Sequence, residues 1–193
     1  MVRVCVFCGS SRGSSPAYAE AAAELGTALA VEGIGLVYGG GDVGLMGIVA
    51  DATLAAGGEV VGVMPEALVA KEIAHRGVTE LKVTGSMHER KAMMADLADG
   101  FIALPGGLGT LDELCEILTW GQLGLHTKPV VLLDVERFWS PFVALLDCAV
   151  EAGFLREVHR DLAHRAGSVA EALALLWSPP PPPMHKWIDR DST

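Results

Sequence analysis

The chain has 193 residues, of which 51% are hydrophobic, and its 24 acidic and 14 basic side chains give a formal net charge of −10. That length and apolar content suit one domain with its own core and exclude a disordered chain. The acidic balance excludes a nucleic-acid backbone as partner, which needs clustered Lys and Arg, and no apolar run is long enough to cross a membrane.

Residues 2–7 form an apolar strand that starts at once, without a signal-peptide cleavage pattern, so the cytoplasm is the expected compartment. A tight polar turn, Cys8-Gly9-Ser10-Ser11, closes it. Residues 16–30 form an alanine-rich helix with Ser15 as N-cap and Pro16 at its first position. The second strand, 34–38, runs into Gly39-Gly40-Gly41, and a helix over 45–56 ends at Gly57-Gly58. A strand over 59–64 stops at Pro65, and a short strand follows at 79–83. A helix over 86–98 leads to the strand 101–104, which ends at Pro105. After Gly106, Gly107 and Gly109 a helix places Leu111, Leu114, Cys115 and Leu118 on one face. A strand at 130–133 and helices at 141–152 and 169–177 complete the pattern.

Strands alternating with helices predict a Rossmann-like α/β three-layer sandwich with a parallel sheet, and strands without polar alternation agree. One domain spans 1–178. The run of five prolines from Pro179 and the polar segment after it form a tail over 179–193. Four cysteines are too few for a disulfide framework. Cys5-x-x-Cys8 lies in and just after a strand, not at the helix start where a redox pair works, and Cys115 and Cys148 read as core. The six histidines form no metal constellation, and His159 and His164 read as an exposed charged segment; no metal and no cofactor are expected.

Glycine turns follow the first strand, the second strand and the strand 101–104. In an open α/β sheet, ligands bind beyond the carboxyl ends of strands, so these turns converge on one crevice. Gly106, Gly107, Leu108, Gly109 and Thr110 bridge a strand to a helix start. Its free amides and dipole favour an anion there, and glycine lets backbone approach a phosphate. Gly39, Gly41 and Gly44 match G-x-G-x-x-G, a weak dinucleotide signal outside the first βα unit. Thr110-x-x-Glu113 and Ser86-x-x-Glu89 both match a capping box. Glu89 takes the capping reading; Glu113 takes a functional one, because it stands one turn inside the cradle. Arg90 and Lys91 lie on the first turns of a helix, where cations are locally unfavourable, which is a mark of a site.

Residues 105–113, Pro-Gly-Gly-Leu-Gly-Thr-Leu-Asp-Glu, resemble the PGGxGTxxE signature of the LOG family, the cytokinin-activating phosphoribohydrolases. Met87-His88-Glu89-Arg90-Lys91 resembles that family's MHERK motif, and residues 39–47 resemble its third. The resemblance implies hydrolysis of the N-glycosidic bond of an adenine-type nucleoside 5′-monophosphate. It implies a catalytic Glu113 and Arg90, and substrate contacts from Lys91, Glu72, Thr119 and the cradle, Leu111 and Asp112 included. Ser10, Gly40 and Gly41, on the other two loops, belong to the same expected site. A homodimer is implied as well. Thr119 also reads as a helix residue bonded to its own backbone, and Glu72 as ordinary surface. Related molybdenum-cofactor carriers, which bind a phosphorylated pterin without turning it over, supply the alternative. Deleting residues 179–193 is expected to leave turnover and melting temperature nearly unchanged, because the tail lacks a core-forming pattern; a thermal melt beside an activity assay checks this.

Overall fold

Seven strands, all paired in parallel, form one sheet in the computed structural model, which describes residues 1–69 and 74–177. The strands are β1 (Arg3–Phe7), β2 (Gly35–Tyr38), β3 (Val60–Pro65), β4 (Glu80–Thr84), β5 (Gly100–Ala103), β6 (Val130–Leu133) and β7 (Ala163–Ala166). Their order across the sheet is β4-β3-β2-β1-β5-β6-β7. The helices are α1 (Pro16–Val31), α2 (Gly44–Ala55), α3 (Glu66–Val69), α4 (Met87–Leu97), α5 (Leu108–Gln122), α6 (Ser140–Glu151), α7 (Glu157–Arg160) and α8 (Val169–Leu176). The expected α/β sandwich is therefore present. Residues 70–73, with the candidate Glu72, and the tail from 178 onward lie outside the described residues.

β2, β3, β5 and β6 are buried along their whole length, which is why their sequences carry no polar alternation. Successive side chains instead feed two cores. Val4, Val6, Leu36, Tyr38 and Ile102 pack with Leu25, Leu29, Val49 and Leu176 from α1, α2 and α8. Cys5, Phe7, Val37, Val63 and Phe101 pack with Met94 of α4, Leu114 and Ile117 of α5, and Trp139. Cys5 and Cys8 thus belong to different cores and all four thiols are free, which removes the redox reading of C-x-x-C.

Three expectations need correction. Cys115 and Cys148 are exposed. The inward stripe of α5 is Thr110, Leu114 and Ile117, so Cys115 falls off its edge, and α6 has no fully buried residue. The segment around His159 and His164 is structured: α7 buries His159, and His164 lies in β7, whose neighbour is β6. β7 escapes a hydrophobicity reading because it is an edge strand, with a polar centre of His164 and Arg165 between two buried alanines. Pro65, expected to stop β3, is instead its last residue, paired beside Thr84.

The topology also sets where a ligand fits. β1 exits toward α1 on one face, and β5, its neighbour, exits toward α5 on the other. The chain therefore parts between β1 and β5 and leaves a crevice at their carboxyl ends. Close backbone contact closes the floor: Gly9 N donates to Pro105 O at 3.1 Å, and Leu45 N donates to Gly9 O at 3.0 Å. Gly44 has φ +61° and packs so tightly that a Cβ there would overlap the backbone of Ser10 and Ser11. Gly57 has φ +81° but open space around it. Gly57→Ala is expected to cost only backbone strain, about 1 kcal/mol, whereas Gly44→Ala should lose more than about 2 kcal/mol, since strain and overlap add; urea titration of the two variants measures the difference.

Candidate functional site

α5 begins at Leu108, with Gly107 as its N-cap. Glycine has no side chain to cap with, so no side-chain hydrogen bond occupies the first amides. This removes the capping-box reading at Thr110: that residue is already inside the helix and buried, its hydroxyl packed where a Cβ on Gly106 would stand. Ser86 does cap α4, its hydroxyl accepting from Glu89 N at 3.1 Å. Glu89 reaches back to Gly85 N at 2.7 Å, one residue beyond the expected partner.

Freed from capping, Glu113 turns toward α4. Its Oε1 lies 3.2 Å from Arg90 Nη1, and both side chains are only 11% exposed. Arg90 is fixed by further bonds, from Nε to Val63 O at 3.0 Å and from Nη2 to Gly39 O at 3.3 Å. A Cβ on Gly39 would overlap that same Nη2, so this glycine makes room for the guanidinium. The local conflict of a cation at a helix start is thereby resolved from outside the helix. Burial raises the Glu113 carboxyl to a pKa of about 6, although the Arg90 charge pulls the other way. The same burial, with the Glu113 charge adding to it, raises the thiols of Cys5 and Cys8 beneath and makes them inert.

Lys91, next along α4, bonds to Asp112 at 3.2 Å and to Glu116 at 3.0 Å. Burial opposes its charge, but the carboxylates of Glu116 and Asp112 prevail and raise its pKa. Glu116 has no motif of its own; only its position one turn beyond Asp112 could have flagged it. Gly107 and Gly109 differ from Gly39, Gly44 and Gly106: a Cβ on either would meet nothing within 4 Å. Leu108, between them, is 85% exposed, while Leu111 packs on the core. Ser10 lines a cleft of about 230 Å³ together with Gly106 and Gly107.

The remaining candidates take other positions. Gly40 O accepts from His75 N at 3.0 Å and Gly41 bridges Ala74, so these two glycines anchor the chain next to residues 70–73. Thr119 is exposed on α5 and its hydroxyl bonds back to Cys115 O at 2.7 Å, the local alternative for this residue. Folding also assembles a group that spacing concealed: ligand atoms of Asp42, Asp51 and His75 lie within 4.8 Å of one another. His75 Nδ1 accepts from Gly77 N at 3.1 Å, which puts the proton of the neutral ring on Nε2, facing Asp51 Oδ1 at 2.9 Å. Both nitrogens are thus engaged, and the group reads as a latch holding residues 74–77 on α2, not as a set of metal ligands.

A family model described as "Possible lysine decarboxylase" matches residues 46–176. The "Cytokinin riboside 5'-monophosphate phosphoribohydrolase LOG" of Oryza sativa subsp. japonica is 49% identical over 174 residues, 90% of this chain and 72% of that protein. An Arabidopsis thaliana protein named for the same activity is also 49% identical, covering 90% of this chain and 82% of its own. Among solved structures, the molybdenum cofactor binding protein from Rippkaea orientalis superposes with a TM-score of 0.70 at 26% identity, over 92% of this chain and 96% of that one. The molybdenum cofactor carrier protein of Chlamydomonas reinhardtii gives 0.67 at 26% identity, over 90% and 94%.

Glu113 is expected to titrate near pH 6 in a carbon-detected NMR titration. Arg90→Met should move that midpoint to higher pH, because the charge holding the carboxylate ionised is gone.

Proposed function

Because the chain belongs to the family described as "Possible lysine decarboxylase", as do its LOG relatives, we propose that it is a phosphoribohydrolase. Its substrate is a cytokinin (N6-modified adenine) riboside 5′-monophosphate or AMP. Water cleaves the N-glycosidic bond and releases the free base and ribose 5-phosphate. The observation that carries this reading is the buried Arg90–Glu113 pair, set beside a helix start whose amides are uncapped. Gly107 and Gly109 support it, since neither is needed for packing and both keep backbone open to a phosphate.

As the base leaves, positive charge builds on the ribose ring. The Glu113 carboxylate stabilises that charge beside C1′ or takes the proton of the attacking water. Arg90 keeps Glu113 oriented and ionised; Lys91, held by Asp112 and Glu116, faces the substrate from the same helix. The phosphate in the cradle supplies binding energy remote from the reacting carbon, which positions C1′ against Glu113.

Decarboxylation through a pyridoxal Schiff base does not fit. It requires a lysine in an apolar pocket, free to form the Schiff base, whereas among the described residues Lys91 is held by Asp112 and Glu116, Lys82 pairs with Glu80, and Lys128 donates to Ala95 O. The carrier reading rests on structures at 26% identity, against 49% for the hydrolases, and it leaves the Arg90–Glu113 pair without a task. We also propose a homodimer, supported by the exposed apolar residues Leu123 and Leu125 beside α5, and a cytoplasmic location, supported by the four free thiols.

Incubation with AMP and with isopentenyladenosine monophosphate, followed by chromatography, should show free base. Glu113→Gln keeps an acceptor for Arg90 and should fold normally, yet lose on the order of a hundredfold or more in kcat. Near-normal turnover in this variant would remove the mechanism; wild-type protein that carries a fluorescent pterin and releases no base would favour the carrier.

A further inference from the structure

The cleft beside the cradle has one charged side chain in its lining, Arg12. Arg12 sits on the loop after β1, and that loop is held without it. Gly13 N donates to Ser11 Oγ at 3.3 Å, Gly13 at φ +74° packs on the Tyr18 ring, and Gly9 is bonded to both neighbouring loops. Glu136 reaches this region but accepts from Ser15 Oγ at 3.0 Å, not from Arg12. Among the described residues the Arg12 guanidinium takes part in no hydrogen bond or ion pair, although acidic groups outnumber basic ones by ten in this chain.

The charges around the cradle make this free cation informative. Arg90 is matched by Glu113, and Lys91 is shared between Asp112 and Glu116. Without Arg12 those groups leave one uncompensated negative charge next to the place where a phosphate would sit. Uncapped amides and a helix dipole attract an anion, but a phosphomonoester near neutral pH is close to a dianion. We propose that Arg12 reads that charge: its guanidinium closes over the 5′-phosphate from the β1 side while the α5 amides hold it from the β5 side. Arg12 is then a specificity residue, selecting phosphorylated over plain nucleosides. Arginine suits the role, because its planar fork can engage two phosphate oxygens at once. The inference rests on the phosphoribohydrolase reading for the identity of the ligand.

The test uses the full-length wild type, Arg12→Gln and Arg12→Lys, with ribose 5-phosphate binding measured by calorimetry and turnover measured on the nucleoside monophosphate and on the phosphate-free nucleoside. Arg12→Gln should weaken ribose 5-phosphate binding and raise KM for the monophosphate by roughly 10- to 100-fold, the scale of a charged hydrogen bond. Its kcat should stay within about twofold and its kcat/KM on the phosphate-free nucleoside should equal that of wild type, because only the phosphate contact is lost. Lysine should restore part of the affinity, and added salt should weaken the wild type more than Arg12→Gln. Equal ribose 5-phosphate affinity in wild type and Arg12→Gln would overturn the inference, as would a wild type without measurable affinity. Arginine-dependent binding of ribose 5-phosphate by a protein that releases no base would sustain the inference and sink the hydrolase reading instead.

Discussion

The contact on which the site depends is the buried ion pair between Arg90 and Glu113. A lone charge at this depth would be expensive, and a pair is tolerated only when the leftover donors and acceptors are also satisfied. Arg90 meets that condition through the carbonyls of Val63 and Gly39, which come from β3 and from the loop after β2. One side chain therefore ties α4 to β3, to the loop after β2 and to α5. Glycine at position 39 belongs to the same arrangement, since any larger residue would displace the guanidinium.

That arrangement divides the glycines of the site into two groups. Gly39, Gly44 and Gly106 are required by the protein itself, because neighbouring atoms occupy the place of a Cβ. Gly107 and Gly109 meet no such neighbour, so packing alone does not ask for them. The distinction gives physical content to a glycine-rich motif: some of its members build the crevice, and others leave it open. The raised pKa of Glu113 belongs to the same picture, with burial pushing the carboxyl up and the Arg90 charge pulling it back.

Electrostatics in this region are local. The chain is strongly acidic, yet the α5 start, with no side-chain cap, is bordered by a few placed cations, of which Arg12 makes no ion pair among the described residues. Arg90 and Lys91 are engaged by carboxylates, which positions them and cancels their field at longer range. A strongly negative net charge therefore says nothing against a small phosphorylated ligand, whose binding depends on local groups.

Sequence alone determined the layer architecture, most element boundaries and the glycine-rich turn before α5, because these depend on local patterns: apolar runs, helical spacing, and glycine or proline at strand ends. It also singled out Arg90 and Glu113, one from a local rule broken at a helix start and the other from its depth inside the cradle. Tertiary structure decided what local pattern could not. β7 was hidden because an edge strand with His164 and Arg165 at its centre carries no apolar signature. Thr110-x-x-Glu113 matched a cap, but the helix began two residues before Thr110, and only packing against Arg90 showed where the carboxylate went. The His75 latch joins side chains 24 residues apart in sequence, and the Lys91–Asp112 pair joins side chains 21 apart. Such contacts exist only once elements distant in sequence pack side by side on the sheet, and no window of neighbouring residues contains that information.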